Sequence, residues 1–182
     1  MIHVCSLARL EETVAATAAD RVVSLLAGGT LLTRPASIVE ENHLVLWMHD
    51  IAEEQEGLVP PGETHVRNLI DFARRWDRAR PMVVHCFAGI SRSTASAYII
   101  AAALAPHRDE ADLAQSLRQL SPSATPNPRL VAIADQILGR QGRMVEAIRA
   151  IGRGEEAFEG TPFMLPVDVG TEAGQVLVAK AL

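Results

Sequence analysis

Four short apolar runs mark the first half of the chain: "IHVCSL" (2–7), "RVVSLL" (21–26), "HLVLWM" (43–48) and "PMVVHC" (81–86). They are rich in branched side chains and too short for helices, so they predict buried strands. Pro81 is acceptable at a strand's first position, where it interrupts no interior ladder bond. Gly28-Gly29 closes the second run as a turn, with neither a Walker-type lysine nor a glycine-rich nucleotide fingerprint after it.

Helical periodicity follows these runs. Residues 62–76 place Val66, Leu69, Ala73 and Trp76 on one face, with the charges of "RRWDR" on the solvent side. The stretch after Arg92, as far as Pro106, is small and apolar all round and predicts a helix buried against the sheet. Asp109 is a candidate cap for a helix over roughly 110–120, with Ala111, Ala114, Leu117 and Leu120 expected to face inward. Asn127 and Pro128 occupy the cap and first turn of another, whose apolar positions are Leu130, Ile133, Ala134 and Ile137. A last helix is expected at about 141–151. Strands alternating with helices, then helices alone, imply an α/β domain with a central, largely parallel sheet flanked by helices. Residues 1–152 form the expected catalytic domain. Residues 153–182 form an extension packed on it, and the strand-like "QVLVAKAL" near its end suits an edge strand, a cover over the core or a frayed end.

The chain has 182 residues, 48% of them hydrophobic and 21% charged, which is an ordinary soluble composition. A formal charge of -5 argues against general affinity for nucleic acid or anionic membrane, and neither partner is expected. Cys5 and Cys86 are the two cysteines, too few for a disulfide framework or a metal-binding cluster, so no metal or other cofactor is expected. The amino terminus lacks the pattern of a signal peptide, and the apolar run Ala95–Ala105 is too short to cross a bilayer. The expected location is the cytoplasm.

One stretch carries chemistry. "VVHCFAGISRSTA" (83–95) puts Cys86 at the end of a strand and Arg92 at the start of a helix, with a compact loop between them. Amide hydrogens of such a loop converge on one point, and the helix dipole favours negative charge there. Gly89 lets the turn close, and a thiol at the base of the cradle is favoured as its nucleophilic anion. Arg92 offers a planar fork to two oxygens of a tetrahedral dianion. The constellation holds an oxyanion above a sulfur nucleophile.

The string His-Cys-x-x-Gly-x-x-Arg-Ser, with His85, Cys86, Gly89, Arg92 and Ser93 in place, resembles the signature of the protein tyrosine phosphatase superfamily, most of all its small dual-specificity-like members. The likeness spans roughly residues 20–138 and is strongest over 82–98. It implies metal-independent hydrolysis of phosphate monoesters through a phosphocysteine intermediate, with protein phosphotyrosine as the expected substrate and small phosphoesters as another. It further implies that Cys86 attacks phosphorus. Arg92 and the loop Phe87, Ala88, Gly89, Ile90 and Ser91 would bind the phosphoryl oxygens, Ser93 would help the thiolate leave, and His85 would order the loop. The family's acid lies roughly thirty to forty residues before the cysteine, just past a strand. Asp50, after "LVLWMH", fits best. Glu53, Glu54 and Glu56 form a charge run suited to solvent, and His49 is expected to be a packed or exposed side chain. "SATPNPRL" resembles the Pro-Asn segment beside the phosphate loop, which makes Asn127 a supporting candidate besides a helix cap. Cys5 is expected to be a small core residue rather than a redox partner of Cys86.

The signature loop carries no lysine, unlike many phosphoinositide-directed relatives, and this points away from a polyanionic lipid substrate. The alternative function is a non-catalytic module that holds phosphorylated ligands in the same cradle. A third is thiolate chemistry on another oxyanion such as arsenate, weakened by the lack of paired cysteines nearby.

Overall fold

A computed structural model describes residues 1–167; "QVLVAKAL" lies outside them. Five strands form one sheet: β1 (Ile2–Ser6), β2 (Arg21–Leu26), β3 (His43–Trp47), β4 (Met82–Cys86) and β5 (Phe163–Leu165), in the order β3-β2-β4-β1-β5. β3, β2, β4 and β1 run parallel, and β5 adds antiparallel to β1 with Val4 opposite Phe163 and Ile2 opposite Leu165. The sheet is largely parallel and flanked by helices, as the sequence pattern requires. All five residues of β4 are buried, which is why "MVVHC" is nearly continuous in its hydrophobicity.

One face of the sheet carries α2 (Glu63–Arg74), α3 (Arg92–Leu104), α4 (Glu110–Leu120), α5 (Pro128–Ile137) and α6 (Arg143–Ile151). Every residue of α3 from Arg92 to Ala102 is buried, in keeping with its small, apolar composition. The opposite face is thinner: α1 (Leu10–Thr17) packs there, and Cys5, Val22, Val83 and Ile38 form a second cluster with its Leu10 and Val14. The sequence pattern gave no warning of α1, because an eight-residue "LEETVAAT" holds too few turns to show a period.

The inward face of α4 differs from expectation. Leu113, Ala114 and Leu117 are buried, whereas Ala111 and Leu120 are exposed. The phase is set by Glu110, which is buried and ion-paired with Arg140 at 2.9 Å and Arg143 at 3.1 Å. Turning this carboxylate inward carries positions three, four and seven residues later with it. Asp109 and Asn127 cap as predicted: each accepts two backbone N–H bonds from its helix.

Arg140 also donates to the carbonyls of Ala102 and Pro106, so its loss would leave buried acceptors unpaired beside a buried carboxylate. Arg140→Met is expected to cost about 3 kcal/mol, read as a fall in Tm of roughly 10 °C.

Candidate active site

The loop from Cys86 to Arg92 is held from outside by its own carbonyls. Phe87 O accepts from Leu7 N–H (3.1 Å), Ala88 O from Gly160 N–H (2.8 Å), Ile90 O from Thr125 N–H (3.0 Å) and Ser91 O from Asn127 N–H (3.3 Å). Thr94 Oγ1 adds bonds to the carbonyls of Ile90 and Ser91. With these oxygens turned outward, Gly89 N–H points at Cys86 Sγ, 3.3 Å away. Among the described residues, the N–H groups of Phe87, Ala88, Ile90 and Ser91 find no protein acceptor. Gly89 has φ +75, and a Cβ there would lie 2.9 Å from the backbone of Cys5 and Ser6. The end of β1 presses on the loop so closely that only glycine fits, in a conformation that only glycine adopts freely.

Cys86 is 2% exposed, and its sulfur lies 3.1 Å from Ser93 Oγ on the first turn of α3. Arg92, 7% exposed, starts that helix and donates through Nη1 to Met48 O at 2.8 Å. This bond ties the guanidinium to the end of β3. Arg92 Nε is buried without a hydrogen bond among the described residues, its nearest carboxylate oxygen being Asp50 Oδ2 at 3.8 Å.

His85 is fully buried on β4. Its Nε2 lies 2.6 Å from Ser24 Oγ, and the same hydroxyl lies 2.7 Å from His43 Nε2. A hydroxyl has one proton, so it donates to one imidazole and accepts from the other. Burial pushes the His85 imidazolium down to about 4, only partly offset by the Cys86 carbonyl near Nδ1. A neutral His85 suits a residue that orders the loop. Neither Ser24 nor His43 stood out in the sequence. The available sign was Ser24 itself, a polar residue within an apolar strand, placed directly opposite His85 in the β2–β4 register.

Asp50 lies just beyond β3. Its Oδ1 accepts from Ser91 Oγ at 2.7 Å and from Asn127 Nδ2 at 2.8 Å. Asn127 is 3% exposed; its Oδ1 caps α5 through the N–H groups of Arg129 and Leu130, so its Nδ2 faces the carboxylate. Asn127, the supporting candidate, meets the active loop through its backbone N–H, while its side chain reaches Asp50. Arg129 fastens the same segment, donating to Pro61 O and pairing with Glu54 at 3.2 Å. His49 Nδ1 accepts from Val59 N–H and holds the far side of the loop that carries Asp50. Glu53, Glu54 and Glu56 are exposed. Cys5 is buried on the opposite face of the sheet from Cys86, and desolvation raises its thiol to about 11. It packs as a core residue.

A buried thiol with a loop amide directed at it, a guanidinium at one side and a carboxylate at the rim stand together at the end of β4 on a largely parallel α/β sheet, an arrangement able to hold an oxyanion. The sequence matches the protein-tyrosine phosphatase family over residues 33–124, and the chain belongs to that family. No curated protein matches it in sequence. Its fold is that of DUSP15, with a TM-score of 0.59 at 17% identity over 82% of this chain and 89% of the other. It is likewise that of Cydia pomonella PTP-2, with a TM-score of 0.58 at 18% identity over 74% and 84%. Human DUSP28 gives a TM-score of 0.52 at 17% identity over 82% and 94%.

The depressed imidazolium of His85 has a consequence for stability. Above pH 6.5 both folded and unfolded His85 are neutral, and its neutral burial costs no proton. As pH falls from 6.5 towards 4 the unfolded chain takes up a proton that the native state refuses, so stability drops. The expected loss is about 3 kcal/mol from this group, with His3, His43 and His65 adding in the same sense. Urea unfolding at several pH values would measure it, and His85→Gln is expected to flatten the slope.

Proposed function

We propose that this protein hydrolyses phosphate monoesters, with protein phosphotyrosine as its substrate, through a phosphocysteine intermediate and without a metal ion. The observation that carries this reading is the placement of Cys86 Sγ beneath a loop four of whose carbonyls are tied outward, with Gly89 N–H directed at the sulfur. In this reading the phosphoryl oxygens accept from the loop N–H groups of Phe87 to Arg92 and from Arg92 Nε and Nη2. These donors are already oriented, so little reorganisation accompanies charge development.

Cys86 thiolate attacks phosphorus opposite the ester oxygen, forming the P–S bond as the P–O bond breaks. Asp50, at the rim, gives its proton to the departing alcohol. Water then attacks the phosphocysteine, Asp50 takes a proton from it, and the sulfur leaves as a thiolate stabilised by Ser93 Oγ–H. Inorganic phosphate departs, and the enzyme is restored. Asn127 and Ser91 hold Asp50 over the cradle. A sulfur nucleophile must stay reduced, which suits the cytoplasm. We assign the catalytic unit to residues 1–152, with residues 153–167 as an extension packed on it through β5 and Gly160.

Phosphate release from phosphotyrosyl peptides, with chelator and reductant present, tests the reading. Cys86→Ser is expected to abolish turnover, and Arg92→Ala to reduce kcat/KM by about a thousandfold. Asp50→Asn is expected to slow substrates with poor leaving groups by about a hundredfold and p-nitrophenyl phosphate much less. A wild-type chain that binds phosphopeptides but releases no phosphate would establish the non-catalytic binding module instead.

A further inference from the structure

Beside the phosphate cradle lies a groove of about 990 Å³ that the chemistry above does not use. Two of its lining residues, Ile90 and Ser91, belong to the loop, and Ser91 Oγ also reaches Asp50, so the groove borders the rim of the site. Its apolar lining comes from Ile90, Pro126 and Ile148, and Phe158 stands over it, fully exposed. A single exposed aromatic requires no explanation. This one differs because the chain on both sides of it is pinned.

Before Phe158, Gly154 N–H donates to Thr125 Oγ1 (3.0 Å) and Glu155 N–H to Pro122 O (2.9 Å). After it, Glu159 accepts from Ser6 Oγ, and Gly160 N–H donates to Ala88 O of the phosphate loop. A Cβ on Gly154 would lie 2.5 Å from Ser123 C, and one on Gly160 2.7 Å from Gly89 O. Both ends are therefore pressed against backbone with no room for a side chain. The segment holds its aromatic in water at the edge of the groove, where a flexible loop would fold it away.

The charges on the rim select what fits. The lining cations Arg149 and Arg153 are matched by the lining carboxylates Glu155 and Glu156, with Glu156 4.0 Å from Arg153 and Glu146 3.7 Å from Arg149. The groove therefore offers no net attraction to an acidic neighbour of the phosphate, and what remains is apolar area. We infer that this groove binds an apolar side chain next to the phosphotyrosine of a substrate protein, with Phe158 as the specificity-determining residue. The inference rests on the phosphotyrosine reading above and names the sequence context that the site prefers.

The test compares two phosphotyrosyl peptides that differ only in whether leucine or serine flanks the phosphotyrosine, with p-nitrophenyl phosphate as a substrate too small to enter the groove. The wild-type chain is expected to favour the leucine peptide about tenfold in kcat/KM, mostly through KM. Phe158→Ala is expected to erase that preference while p-nitrophenyl phosphate turnover changes less than twofold. Equal slowing of all three substrates would mean that Phe158 serves the fold alone, and a preference that survives Phe158→Ala would place specificity elsewhere; either overturns the inference. Faster peptide turnover by the variant would identify the occupant as the chain's own residues and overturn it as well. Anisotropy of the labelled peptides on Cys86→Ser separates the two levels, since it reads the groove without turnover. Tenfold tighter binding of the leucine peptide there, lost on adding Phe158→Ala, supports the groove even if the wild-type chain hydrolyses nothing.

Discussion

The whole site depends on where four carbonyl oxygens go. A loop between a buried strand and a buried helix must satisfy its backbone, and here Phe87, Ala88, Ile90 and Ser91 do so outward, onto Leu7, Gly160, Thr125 and Asn127. Gly89 N–H is thereby left facing the sulfur, and the N–H groups of Phe87, Ala88, Ile90 and Ser91 are left without a protein acceptor among the described residues. The arrangement is electrostatic before it is chemical: the backbone dipoles point one way because the flanking chain has claimed the other end of each.

The same economy governs the side chains. Met48 O fixes one nitrogen of Arg92, so the guanidinium fork is oriented by the end of the neighbouring strand. Asn127 spends its oxygen on the first turn of α5 and its nitrogen on Asp50, coupling the rim carboxylate to a helix that touches the opposite side of the loop. His85, deep in the sheet, is answered by Ser24 and through it by His43. Arg92, Asp50 and His85 are each held by a second residue that orients them.

Much of this was legible in the sequence, and the division follows the range of the contacts. The four parallel strands are continuous apolar runs, and α4 and α5 announce themselves through Asp109 and the Asn127-Pro128 pair, all local signals. The sulfur, the guanidinium and the loop lie within one short motif. Asp50 was legible because it follows a recognisable strand, and the structure brings it beside Arg92 and Ser91. What stayed hidden depends on pairing between distant segments. The phase of α4 is set by an ion pair with Arg140, thirty residues away. β5 is three residues between Pro162 and Pro166, a length at which no period exists. Ser24 and His43 acquire meaning only once register sets Ser24 against His85 and brings His43, opposite Val22, within reach of the same hydroxyl.

Gly160 gives the sequence of events during synthesis a particular shape. Cys86 and Arg92 emerge from the ribosome together, with their strand and helix, while the amide that claims Ala88 O emerges many residues later. Until then one wall of the cradle is missing, and the half-made chain has a thiol without a finished anion site. Sulfur and guanidinium are early products of translation, and the bond that ties off Ala88 O is a late one. The loop that was made first is therefore tied off last, when the chain around Gly160 folds back onto it.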